Sequence, residues 1–110
     1  MTPEGITPKV TIPSPSLIIK RDHRSDLYAD YYDSWTDFLD ALAKAYHDTI
    51  QHFYDLGARY VQLDDTTWGY LIQQFENEKN NPEKTAELAK IAEGDVYTIN
   101  KALEGLPEDL

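Results

Sequence analysis

The amino-acid sequence predicts an α/β fold in which parallel strands are joined by a crossover helix, as part of a larger barrel or doubly wound sheet. Three observations predict it. A β-branched run, a long one-sided helical stripe and a second β-branched run follow one another, which is the βαβ pattern. The second run, "YVQLDD" from Tyr60 to Asp65, ends in two adjacent carboxylates. Two strands do not make a stable parallel sheet by themselves, so the alternation asks for more strands than 110 residues supply.

Each element has a local cause. Residues 1–8 hold two prolines and a glycine and read as a lead-in; the domain proper runs over residues 9–110. "KVTIP", Lys9 to Pro13, is β-branched and stops at proline, which suits a short strand. From Ser14 to Asp33 the chain is polar and without period, and reads as a long loop. Ser34 then offers an N-cap, with Asp37 three residues on. Trp35, Phe38, Leu39, Leu42, Tyr46, Ile50, Phe53 and Leu56 recur at helical spacing and form one apolar stripe. Gly57 falls where a left-handed C-cap residue belongs. Trp68, Leu71, Ile72 and Phe75 predict a short second helix, whose start either Asp65 or Thr66 is placed to cap. Asn81 as cap and Pro82 in the first turn open a third, carried by Leu88, Ile91, Ala92, Ile99 and Leu103. Gly94 and Asp95 are expected to interrupt it.

Charge and composition narrow the function. Apolar residues at 41% are enough for a core, whereas a formal charge of −10 is repelled by phosphate backbones and anionic lipid alike. Neither a nucleic-acid partner nor a membrane is expected. No apolar run reaches the roughly 20 residues of a membrane-spanning helix. The absence of cysteine removes disulfides and thiolate metal ligands. With a start unlike a signal peptide, it suits a cytoplasmic protein.

Strand parity points to the site. Tyr60, Gln62 and Asp64 face one way; Val61, Leu63 and Asp65 face the other. Val10 and Ile12 turn toward helices, and Thr11 away from them. A polar row that ends in an acid at the carboxyl end is the form of a (β/α)₈ active site. Asp64 is the leading ligand-facing carboxylate, suited to an ammonium or hydroxyl group, and Asp65 the second. Ser14 and Ser16 stand at the carboxyl end of the first strand, another ligand position, or form a proline-broken turn.

At these residues the sequence resembles a known family. "KVTIPSPS", "AYHDTIQHFYDLGARYVQLDDTTWGYL" and "INKALEGLPEDL" are similar to the catalytic barrel of cobalamin-independent methionine synthase, above all to shorter single-barrel proteins of that type. The resemblance implies a fragment, under half, of a TIM barrel, and methyl transfer to the sulfur of homocysteine or a related thiol. It implies zinc in the complete protein, held by His, Cys and Glu, which converts the thiol to a thiolate. It also implies that Asp64 binds the amino acid's ammonium group. The family's His-x-Cys ligand pair follows the segment matching "LPEDL" and is absent here. So no metal ligand, cofactor or catalytic residue is expected in this chain, and the chain alone is expected to be inactive. Pro13, Ser14, Pro15 and Ser16 replace the tryptophan-serine pair of the folate-using enzymes, which counts against methyltetrahydrofolate and leaves the methyl donor open.

Remaining polar groups are weaker candidates. Arg21, His23 and Arg24 read as a solvated charge run, or as a receiver for an anionic tail. His47 and His52 lie five apart, which is wrong for two ligands on one helix face. Trp35 and Trp68 read as core. A non-catalytic alternative stands beside the methyltransferase: an acidic α/β module that associates with copies of itself through open sheet edges. Self-association or exchange of elements is expected on either reading.

Overall fold

A computed structural model describes residues 3–19 and 27–110. Arg21, His23 and Arg24 lie outside the described residues. The molecule is a mixed α/β structure, mostly helical, with one parallel strand pair. In chain order the elements are β1 (Lys9–Pro13), α1 (Ser16–Ile19), a single 3₁₀ turn (Leu27–Asp30), α2 (Trp35–Asp55), β2 (Tyr60–Asp64), α3 (Thr67–Asn77) and α4 (Pro82–Leu103).

β1 and β2 pair in parallel, with Lys9 opposite Tyr60 and Pro13 opposite Asp64. The connection between them runs through α2, as a parallel pair requires. Parity separates the two faces. Val61 and Leu63 line a groove together with Ile50 of α2 and Leu103 of α4, so the helices cover that side. On the other row Gln62 donates to Asp64 at 2.6 Å in an exposed position. The backbone N–H of Ser14 donates to the Asp64 carbonyl at 2.9 Å, which carries the ladder one step past the strand ends.

Both long helices are capped as their sequences dictate. Ser34 Oγ accepts from the Asp37 N–H at 3.1 Å. Asn81 Oδ1 accepts from the Lys84 N–H at 3.3 Å, with Pro82 in the first turn. At the far end of α2, Gly57 adopts φ 109°. Its N–H donates to the Tyr54 carbonyl, and that of Ala58 to the Phe53 carbonyl, each at 2.9 Å. These are the paired bonds of a Schellman cap. The core is Leu39, Ala43 and Ile50 of α2, Leu71 of α3, and Leu88 and Ala102 of α4, with Ile19 of α1. α4 is the hub: α1, α2 and α3 all pack on it.

Four sequence expectations are corrected. The stretch after Pro13 is not wholly irregular. Ser14, Pro15 and Ser16 are buried, and Leu17 and Ile18 donate back to Ser14 and Pro15, so the proline-broken turn winds straight into α1. α4 is not interrupted at Gly94 and Asp95, and both are buried. A Cβ on Gly94 would stand 3.3 Å from the Trp35 ring and 3.6 Å from Leu39. Glycine is there because two helices meet closely, which outweighs its low helix propensity. Leu56 does not extend the stripe of α2. It is the C-cap and 73% exposed, as Ile72 of α3 is at 66%. Finally, Thr66 occupies the N-cap of α3 but makes no side-chain capping bond, and Asp65 accepts from Ser16 instead.

Candidate functional site at the strand carboxyl ends

The ends of β1 and β2 lie side by side in the pairing, so the segments that leave them converge. The first contributes Ser14 and Ser16 and the second contributes Asp65. The Ser14 and Ser16 hydroxyls lie 2.7 Å apart. Ser16 Oγ donates to Asp65 Oδ1 at 2.6 Å across 49 residues of sequence. α3 and α4 close the cluster. Trp68 Nε1 donates to Asp95 Oδ2 at 3.0 Å. Asp95 is 1% exposed, and its Oδ1 is buried without a hydrogen-bond partner.

The two carboxyls are in opposite electrostatic states. Burial, and then the neighbouring Asp65 carboxyl, push Asp95 up to about 7, against the Trp68 and Ser16 N–H groups, which favour the anion. Burial also works to raise Asp65. Hydrogen bonding with Asp95, Ser16, Ser14 and Trp68 outweighs it and holds Asp65 below the usual carboxylate range. Asp65 is therefore the charged acceptor of the cluster. Asp95 is a carboxylic acid with a proton to donate through much of the acid-to-neutral range. Tyr46 of α2 senses the pair: burial and then the charge of Asp95 raise its phenol.

Of the four sequence-derived site residues, the structure brings three together, Ser14, Ser16 and Asp65. Asp64, the leading candidate, points away from them on the exposed face with Gln62. Sequence reasoning missed Asp95 because it stands 30 residues after Asp65 and, beside Gly94, reads as a break in the helix. One signal marked it: the acid sits beside a glycine in mid-helix, a pair with poor helix propensity. Trp68, read as core, is half-buried and uses its indole N–H at this site. His47 is a helix-edge side chain whose Nδ1 meets the Ala102 carbonyl of α4 at 2.9 Å; His52 is exposed.

Among the described residues no three His, Cys, Asp or Glu side chains gather as a metal-holding group, and the sequence has no cysteine. This sequence therefore offers no thiolate as a metal ligand. No helix among the described residues is long and apolar enough to cross a membrane.

A parallel strand pair with a crossover helix and polar groups gathered at the carboxyl ends defines the class: an α/β unit with a strand-end site. The relatives refine it. The chain is 38% identical over 110 residues to the uncharacterized protein YxjG of Bacillus subtilis, and 33% identical over 112 residues to the uncharacterized protein YxjH of the same organism. Each match covers 94% of this chain but only 27% and 26% of the relative. The chain thus spans about a quarter of the length of the curated relatives it matches. No family model and no solved structure matches it.

Proposed function

We propose that the chain is a portion, under half, of a (β/α)₈ barrel of the methionine-synthase-like S-methyltransferase type, and that its strand ends hold the amino-acid part of a thiol substrate such as homocysteine. The observation that carries this reading is the parallel pair β1–β2 with α2 as crossover and the polar groups Ser14, Ser16, Asp64 and Asp65 at its carboxyl ends. In a (β/α)₈ barrel that end carries the chemistry. Relatives nearly four times as long give the remaining strands a place to reside. Asp64, exposed and fixed by Gln62, is the carboxylate open to an ammonium group. Ser14, Ser16 and Asp65 form the cluster on the other side of the same strand end. Thiol activation is assigned to groups outside this chain, so the isolated chain binds without turnover.

Titration of the ¹⁵N-labelled chain with L-homocysteine tests this. The amides of Ser14, Ser16, Asp64 and Asp65 should shift together and saturate, and Asp64→Ala should abolish the response. Shifts scattered over the surface, or none at the strand ends, would sink the reading.

A second reading, a self-associating acidic module without catalysis, is favoured by one observation. The groove of about 530 Å³ beside β2 is lined by Ile50, Val61, Leu63, Leu103, Leu106 and Leu110, an apolar face beside an unpaired strand edge.

A further inference from the structure

The buried carboxyl of Asp95 is not explained by the substrate reading. A buried polar atom without a partner is costly, and an ionised one more so. Here the unpartnered atom is Asp95 Oδ1, next to a second carboxyl. None of the ion pairs among the described residues includes Asp95 or Asp65. Among the described residues, the titratable groups that act on or feel Asp95 are Asp65 from the β2–α3 loop and Tyr46 from α2. α1, with sequence SLII, has no ionisable side chain, and α3 faces it with the indole of Trp68. No neighbour in this set is a cation, so a proton is the simplest group that completes the site.

We propose that Asp65 and Asp95 share one proton, and that this proton latches the Ser14–Ser16 turn to the end of β2 and to α4. Two ends of the chain of bonds are in place: Asp95 Oδ2 accepts from Trp68, and Asp65 accepts from Ser16, whose hydroxyl lies against that of Ser14. The shared proton would be the link between them, given by Asp95 through its unpartnered Oδ1 to Asp65. Loss of the proton sets the buried Asp95 charge against that of half-buried Asp65 and removes the donor between them. The turn that carries the two serines then loses its anchor. The strand-end site is thereby pH-sensitive, whatever ligand it takes.

The sign follows from linkage. The folded protein holds the Asp95 proton up to about 7, whereas an ordinary Asp releases it near 3.8. Between those values the folded state binds more protons, so stability falls as pH rises through that window and levels off above it. Asp65 acts oppositely: its lowered carboxyl contributes stability that is lost as pH falls below the ordinary range.

The test uses the full chain and its two tryptophans. The Trp68 indole N–H signal, assigned by Trp68→Phe, should shift between pH 5 and 9 with a midpoint near neutrality, while that of Trp35 stays still. The thermal midpoint should fall as pH rises from 5 to neutrality by on the order of 5 °C and level off above it. Asp95→Asn keeps an acceptor for Trp68 and a donor for Asp65, so it should hold the signal fixed and remove the fall toward neutrality. Asp65→Asn removes the like charge, so it should move the Trp68 midpoint to lower pH; this decides the matter even if Asp95→Asn prevents folding. A Trp68 signal that does not respond to pH, or a midpoint unchanged in Asp65→Asn, overturns the proposal. So does stabilisation by millimolar magnesium, calcium or zinc that Asp95→Asn abolishes, since the neutralising group would then be a metal.

Discussion

At the scale of single residues, two neighbours in α4 have different tasks. Asp95 gives a buried position to a hydrogen-bond network, and Gly94 gives one to helix contact. A Cβ at Gly94 already meets the Trp35 ring at 3.3 Å, so alanine sets a better helix propensity against a tight contact. A larger side chain has no such balance. Gly94→Leu is expected to destabilise by about 1–3 kcal/mol or more through overpacking, measured as a lower midpoint in urea unfolding. An unchanged midpoint would mean that α2 and α4 do not meet as described. The Tyr97–Asp40–Lys101 cluster nearby also joins these helices, Tyr97 Oη and Lys101 Nζ both reaching Asp40 Oδ1. It lies in solvent and contributes little, because exposed ion pairs are screened.

At the scale of elements, the ends matter most. α2 stops at Leu56 because Gly57 enters the left-handed region at φ 109° and two backbone bonds close the cap. The turn delivers the chain to β2 only three residues later, so the geometry at Gly57 sets where Tyr60 enters the sheet. Gly57→Ala is expected to cost about 1–2 kcal/mol, the penalty of a Cβ in that region, with no loss of packing, since nothing lies within 4 Å of the new atom. Equal thermal midpoints for the two proteins would show that the cap geometry differs. The short helix α1 follows the buried Ser14–Pro15 turn. It is held by the burial of Ile19 and by the Ser16–Asp65 bond, which ties its position to the acid pair.

At the scale of the molecule, the two-stranded parallel sheet has both outer edges unpaired among the described residues. Ile72, Leu103 and Val96 remain exposed on the helices, and the apolar groove beside β2 is open. Exposed edges and patches of this kind favour association. The net charge of −10 opposes it, more strongly at low salt. The isolated chain is therefore expected to associate with itself as salt is raised, seen as a rising mass in light scattering between 20 and 500 mM sodium chloride. A monomer at every salt concentration would show that the open edge and groove are not sticky enough to act.

The sequence alone determined the elements with strong periodic or capping signals. The stripe of α2, the caps Ser34, Asn81 and Gly57, and the order strand, helix, strand all follow from local chemistry that neighbouring residues supply. Parity along Tyr60–Asp64 also follows, because alternation is a property of the extended backbone. Tertiary structure decided which polar groups meet. Ser16 and Asp65 are joined only because β1 and β2 lie in parallel register, and Asp95 joins them only because α4 runs straight through a glycine that reads as a break. Pairing of buried carboxyls depends on distances across the fold, and no spacing along one chain encodes that. Hence Asp64, conspicuous in the sequence, lies on the open face, while Asp95, inconspicuous there, holds the buried proton site.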